Sequence, residues 1–425
     1  MCGLIGIVLG YDPKASSDLA PLARALSALE RFDAGHAQAA EELDAAVQLV
    51  EPLAAELVLW PGFRALNADD AARKRALDLA QRIGECAEGI DRRLAEGRDT
   101  TAASEKLAAA AVRARDLAWK IERDALENVK KVRDLLEGDP SEKLAFELWR
   151  LNLIFNQLER LEVRGRDSGG LGTLVHLSDA AWRAFSQTLA EQGLANELTR
   201  RASYRDFRDG AVVVSEGTAG KAVAFAHKIA REVGELGANV RELRSRVRRD
   251  AILRLALTRE DGLVQTFAHT RWASNGIINE ANCHPLSNEV EGGIASRAVA
   301  GSAILPRVVL GALNGDIDNY PDLSARQTET GRPIPSGITT DAKVIPVEVD
   351  RRTKASGPKG FEEAFTQALR AFEGSTAIGC ISSEAPGTYG VALRGSGQAV
   401  YLGFMPKGGV IFASELYGVV EVAER

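Results

Sequence analysis

Met1-Cys2-Gly3-Leu4-Ile5-Gly6-Ile7-Val8 opens the chain, and its reading governs everything downstream. Leu4 to Val8 is a short continuous apolar run, the pattern of a buried strand. Cys2 follows the initiator directly. Removal of Met1 would leave one residue carrying both a thiol and a free α-amine. The thiolate is the working nucleophile, and an ordinary cysteine is only partly ionised at neutral pH. An α-amine titrates near pH ~8 and can act as a local general base. A buried strand would hold such a terminus rigidly. Taken alone, the stretch favours an ordinary strand that happens to contain a cysteine. What changes the balance lies further along.

Composition narrows the setting. The chain has 425 residues, 45% apolar and 26% charged, with a formal net charge of −6. That length allows two or three domains, or one domain with large insertions. Basic side chains are interleaved with acids, so nothing points to a nucleic-acid partner. Cys2, Cys86, Cys283 and Cys380 lie far apart without C-x-x-C spacing. This argues against a zinc site or a disulfide framework and fits a reducing cytoplasm. No apolar run is long enough for a membrane span, and the amino terminus lacks the basic segment of a signal peptide. No cofactor or metal is expected.

Between Tyr11-Asp12-Pro13 and Pro140 the periodicity is helical. Leu43, Val47, Val50, Ala54 and Leu57 form one apolar stripe. Ala76, Leu79, Ile83, Ala87, Ile90 and Leu94 form another, opened by a capping candidate at Asp69 and closed by Gly97. A third runs from Leu107 to Leu136. Antiparallel helices seated stripe on stripe make a hairpin or small bundle. Its use as an arm for a partner or for self-association and its use as a stabilising insertion weigh equally. A further helix follows Pro140-Ser141, with Leu144, Leu148, Leu151, Phe155, Leu158 and Leu161 on its apolar face. Residues 176–210 read as helical, Gly210–Val214 as a strand, and Lys221 to about Leu257 as a second long helical stretch. Gly217-Thr218-Ala219-Gly220-Lys221 imitates a phosphate loop, but Ser215 stands where its first glycine belongs, so it is a loop before a helix. From Gly262 short apolar segments broken by Gly, Pro and Asn predict strands at 263–269, 298–305, 308–313, 376–382, 390–394, 399–404 and 410–413. One helix, 361–372, sits among them.

Four clusters carry chemistry: Cys2-Gly3; Arg164-Gly165-Arg166-Asp167-Ser168; His269-Thr270-Arg271-Trp272-Ala273-Ser274-Asn275-Gly276 with Asn282-Cys283-His284-Pro285; and Leu313-Asn314-Gly315-Asp316-Ile317-Asp318-Asn319-Tyr320 with Thr340-Asp341-Ala342-Lys343-Val344-Ile345. Singly, each has a bland reading. An Arg-Trp pair packs, Asn-Gly turns, Asp341 caps a helix, and His269 is a satisfied core histidine. Cys283-His284 alone makes a poor zinc site. In this order they resemble the class II glutamine amidotransferase domain of the N-terminal-nucleophile hydrolases. The likeness is greatest to the glutaminase half of the glutamine–fructose-6-phosphate aminotransferases (glucosamine-6-phosphate synthases). That family reads M-C-G-I-x-G, R-G-Y-D-S, H-T-R-W-A-T-H-G, N-A-H-P-H, H-N-G-I-I-E-N-Y and T-D-T-E-V-I. The resemblance spans about 1–10, 145–175 and 205–425 and omits the helical region.

The resemblance implies an α+β fold, a four-layer αββα sandwich with a large α-helical insertion. Residues 1–11 and 141–425 would form the amidotransferase domain and 12–140 the insertion. It implies attack by Cys2 on the side-chain amide of L-glutamine, giving a thioester, ammonia and then glutamate. Asn314 and the Gly315 N–H would make the oxyanion hole. Arg271 would grip the substrate carboxylate and Asp341 its ammonium. Trp272 and Ser274 would lie in a closing loop, with Arg164 and Gly165 around the nucleophile. Departures fall at Leu313 (family His), Ser274-Asn275 (Thr-His) and Arg166 (Tyr), which bear on the pocket rim and loop closure. The ammonia would serve a sugar phosphate, fructose-6-phosphate, bound by a sugar-isomerase (SIS) half in the same or another chain. This sequence is expected to be the N-terminal part of a longer, cytoplasmic protein, with self-association left open. Two alternatives stand: an acceptor of the amidophosphoribosyltransferase or asparagine-synthetase kind, or a non-catalytic scaffold binding a partner through the helical arm.

Overall fold

The computed structural model describes every residue except 1, 98, 139–140, 232–234, 273–275, 292–296, 300–301, 407 and 424–425. Two compact units result: Met1–Tyr11 with Ser141–Arg425, and Asp12–Pro140.

The Asp12–Pro140 unit is helical. It comprises α1 (Ala20–Leu29), α2 (Ala39–Leu57), α3 (Trp60–Ala68), α4 (Asp70–Ala95), α5 (Thr101–Trp119) and α6 (Glu127–Leu136), with a π-helical turn at Lys120–Leu126 joining the last two. The side chain of Asp69 accepts from the Ala71 N–H and starts α4, so an exposed amide that the helix leaves unpaired is satisfied. Leu43, Val47, Val50 and Ala54 of α2, with Ala76, Leu79, Ile83, Ala87 and Ile90 of α4, are all buried. Charges stay on the outer faces: Arg113 meets Asp44 and Arg115 meets Asp91.

The other unit holds thirteen strands among the described residues. They are β1 (Gly3–Val8), β2 (Ser168–Ser178), β3 (Val212–Gly217), β4 (Gly220–Ala230), β5 (Leu263–Arg271), β6 (Leu286–Ser287), β7 (Arg297–Val299), β8 (Ser302–Leu305), β9 (Val309–Ile317), β10 (Gly374–Ser382), β11 (Gly390–Arg394), β12 (Tyr401–Phe404) and β13 (Val410–Ala413). One sheet runs β12-β13-β1-β5-β2-β4-β3-β8-β7, the other β11-β10-β9-β6. The helices of this unit are α7 (Glu142–Leu161), α8 (Asp179–Glu191), α9 (Ala195–Ala202), α10 (Ala238–Arg249), α11 (Ala251–Leu257), α12 (Tyr320–Glu329), α13 (Val344–Arg352) and α14 (Pro358–Ala371).

The layers follow from what each face buries. Leu4, Leu174, Phe267 and Phe412 of the large sheet meet Leu310, Ala312 and Ile381 of the small one in a single apolar core. The outer face of the small sheet packs Val309, Leu313 and Ile378 against Val344, Val349, Phe361 and Phe365 of α13 and α14. Helices α7, α8 and α10 lie on the large sheet's other face. This is the αββα arrangement, with apolar side chains on both faces of each sheet.

Two expectations need correction. Residues 176–210 do not begin as helix, because β2 continues to Ser178. Nor is Lys221–Leu257 one helical stretch: Gly220–Ala230 is β4, and only Ala238–Arg249 and Ala251–Leu257 are helical. Gly217-Thr218-Ala219-Gly220 is the hairpin joining β3 to β4. The segment is therefore a loop before a strand and not, as the sequence suggests, a loop before a helix. Both strands are central and wholly paired, each running eleven residues against the other.

Candidate active site

β1 delivers Cys2 to the space between the sheets. Its register against β5 sets Gly3 opposite Thr270 and Leu4 opposite His269. On its other side Ser414 locks it twice, donating its N–H to Leu4 O at 2.9 Å and accepting the Leu4 N–H on Oγ at 3.0 Å. The Cys2 Sγ is half-buried against the Trp272 backbone, 3.4 Å from its N and 3.5 Å from its O. Burial pushes the thiol pKa up, and the nearby Asp316 carboxylate adds to this, while the Trp272 N–H and Arg271 pull it down.

Asn314 reaches Cys2 from the small sheet. Its Nδ2 donates to Cys2 O at 3.0 Å, and its Oδ1 lies 2.9 Å from His269 Nε2. Gly315 stands at φ +95°, a conformation that L side chains avoid, and a Cβ there would drive into Ser375 O. Gly165 is needed for a different reason. A Cβ on it would sit 2.5 Å from the Arg271 carbonyl carbon and 2.6 Å from Trp272 N. The strand end that flanks Cys2 therefore depends on this glycine.

Arg271 is buried and donates through Nη1 to Ile277 O at 3.3 Å. Asp341 is buried, and its Oδ2 accepts the Ile317 N–H at 2.8 Å. Burial raises the Asp341 pKa, and Asp316 adds to the rise. Asn282, wholly buried, ties the two segments together. Its Oδ1 accepts the Thr339 N–H at 2.8 Å and its Nδ2 donates to Ile277 O at 3.0 Å. Arg164 pairs with Glu415.

Cys2, Asn314, Gly315, Arg271, Trp272, Asp341 and Gly165 thus surround one region. Arg164 stands on its edge through Glu415. Trp272 is half exposed, and Ser274 lies outside the described residues. Three neighbours were given no chemical role: Asp316 near the thiol, Asn282 between Ile277 and Thr339, and His269 behind Asn314. His269 sits in the motif itself. Asp316 replaces an apolar family residue, a signal that was readable. The Cys283 thiol and His284 ring point to different partners, Ile229 O and the Leu313 N–H.

No family model matches the chain. It is similar to the glutamine–fructose-6-phosphate aminotransferase (isomerizing) of Chlorobaculum tepidum, 33% identical over 160 residues, which are 38% of this chain and 23% of that relative. Enzymes of the same name from Clostridium tetani and Thermococcus kodakarensis match at 34% and 30% over 118 residues, 28% of this chain and 16% of each relative. The aligned part therefore spans about a quarter or less of these relatives. A solved glutamine phosphoribosylpyrophosphate amidotransferase from B. subtilis covers 64% of this chain and 41% of its own at 16% identity, with a TM-score of 0.36.

Proposed function

We propose that this chain, which resembles the class II glutamine amidotransferases, hydrolyses the side-chain amide of L-glutamine with Cys2 as nucleophile. The observation that carries the reading is the approach of Asn314 Nδ2 to Cys2 from the opposite sheet. That contact is to the Cys2 carbonyl oxygen at 3.0 Å, and it holds a carboxamide donor next to the residue that carries the nucleophile, the kind of donor acyl transfer requires. With Met1 removed, the Cys2 α-amine takes the thiol proton. The thiolate attacks the amide carbon, and Asn314 with the Gly315 N–H receives the developing oxyanion. The amine returns the proton to the departing ammonia, and water then cleaves the thioester to glutamate. Arg271, a planar fork, binds the substrate carboxylate. Asp341 binds the ammonium, Trp272 and Ser274 close over the glutamine, and Arg164 and Gly165 shape the wall beside Cys2.

Residues 1–11 and 141–425 form the glutaminase domain in this reading, and 12–140 is a helical insertion. The ammonia passes to a sugar phosphate held by a SIS-type half in cis or in trans, because the curated relatives are aminotransferases of that name. The setting is the cytoplasm and the pathway amino-sugar synthesis. The test is glutamate release from L-glutamine by the purified chain beside Cys2→Ala. Release that vanishes in the variant is the expected result. Equal release by both, or none from wild-type chain shown by mass to lack Met1 and supplied with candidate acceptor domains, overturns the reading.

A further inference from the structure

Two atoms around Asn314 can only accept hydrogen bonds: the Cys2 carbonyl, which faces Nδ2 at 3.0 Å, and the Leu313 carbonyl, which faces His269 Nε2 at 2.9 Å. The second contact requires a proton on His269 Nε2. That same N–H then lies 2.9 Å from Asn314 Oδ1. The first contact requires the amide to turn its NH₂ toward Cys2, which leaves Oδ1 toward His269. Each assignment forces the other. Reversing the amide would set its NH₂ against the imidazole N–H and its oxygen against the Cys2 carbonyl, two repulsive pairs in a dry interior.

From this we infer that His269 is a positioning residue for glutamine hydrolysis: its Nε2–H fixes which face of the Asn314 carboxamide is presented to the nucleophile. The inference rests on the reading of Cys2 as a glutaminase nucleophile. A carboxamide is nearly symmetric in shape, so packing alone sets its orientation weakly, and the imidazole supplies the asymmetry. His269 is 1% exposed and Asn314 also 1%, so water cannot substitute. The ring is held neutral, its pKa pushed down to about 3 chiefly by burial. A second imidazole assists at the N–H of the same residue. His284 Nδ1 accepts the Leu313 N–H at 3.3 Å, and the two rings lie 4.3 Å apart. Leu313, where the family has a histidine, is therefore held at both its C=O and its N–H by neutral imidazoles of the same Nε2–H tautomer, one donating through Nε2 and the other accepting on Nδ1. In this way a strand residue without chemistry of its own sets the position of Asn314.

Kinetics and spectroscopy test this separately. His269→Leu removes the donor. Loss of a correctly aimed oxyanion donor acts on the transition state, so kcat for glutamate release falls roughly 10- to 100-fold with KM within about twofold. His269→Gln places an amide N–H near the lost Nε2–H and restores kcat to within a few-fold. In Asn314→Ala, adding His269→Leu costs no more. A His269→Leu protein with wild-type kcat, a loss fully additive to that of Asn314→Ala, or a folded His269→Gln no better than His269→Leu overturns the inference. The second measurement is ¹⁵N NMR of histidine-labelled protein. Only five histidines are present, and His269→Gln assigns the signal. A neutral Nε2–H tautomer unchanged from pH 5 to 8 is expected; an Nδ1–H tautomer, or titration in that range, overturns it. This readout needs no activity, so failure of the glutaminase reading and failure of this inference are separable.

Discussion

At the scale of single residues the site is a balance around one thiol. Burial and Asp316 hold Cys2 protonated, while the Trp272 N–H and Arg271 favour the thiolate. A raised thiol pKa means the thiolate fraction keeps growing as pH rises past the ordinary cysteine range. Alkylation of Cys2 by iodoacetamide, followed by peptide mass, should therefore still be accelerating above pH 9. Asp316→Asn removes the carboxylate and should shift that profile to lower pH; an unshifted or upward-moving profile contradicts the assignment. On the proposed mechanism, Asn314→Ala deletes an oxyanion donor without touching the thiol. It should lower kcat about 100-fold, ~3 kcal/mol of barrier, and leave the alkylation rate near wild type. An equal loss in both assays would mean that Asn314 shapes Cys2 rather than the transition state.

At the scale of elements, the sequence was legible where periodicity and burial agree. The α2 and α4 stripes and the Asp69 cap announced themselves because each of those helices buries one face and solvates the other; α7 and the late strands were readable from apolar spacing between turn signals, although α7 is buried nearly all round. β2 and β4 did not. Ala222, Ala224 and Ala226 alternate with Val223 and Phe225, so β4 has no polar face and its alanines imitate a helix. β2 carries Gly169, Gly170 and Gly172, which lower strand propensity in isolation. The reason for those glycines is tertiary: His284 O lies where a Gly170 Cβ would be, and Pro285 where a Gly172 Cβ would be. Sequence spacing cannot show a neighbour more than a hundred residues away. The same holds in the site, where Cys2, Arg271 and Asn314 were readable from motifs but the His269 contact was not. Gly170→Val should cost about 1–3 kcal/mol or more through overpacking, seen as a lower urea midpoint. An unchanged midpoint would mean that the His284-Pro285 segment yields freely.

At the scale of the whole molecule, the interior holds titratable groups that are neutral or charged at a cost, and their signs predict how stability follows pH. His176 and His269 are pushed down to about 4 and about 3 by burial, and His284 well below the ordinary imidazole range. The unfolded chain protonates these below pH ~6.5 while the folded chain does not, so their stability contribution is present above that pH and is lost as pH falls. Glu162 and Asp341, whose pKa values burial raises, work the other way, because the folded state takes those protons first. Three histidines outweigh two carboxyls, and their window opens at higher pH. The urea midpoint should therefore be lower at pH 5 than at pH 7.5. Lys228 extends the argument upward. It is fully buried, lies 5.3 Å from the Phe207 ring centre, has no hydrogen-bond partner for Nζ among the described residues, and is pushed down to about 8. Below that pH the folded chain carries a buried ammonium. The displacement from an ordinary lysine corresponds to a cost on the order of 3 kcal/mol. Lys228→Met keeps the stem and removes the charge. It should raise stability at pH 7 by about 1–3 kcal/mol and flatten the rise in stability that the wild-type amine produces from about pH 8 up toward the ordinary lysine pKa of ~10.4. A destabilised Lys228→Met protein would mean that the amine is held by a partner of its own, and that the polar interior behind Asn314 is more tightly paired than its burial alone implies.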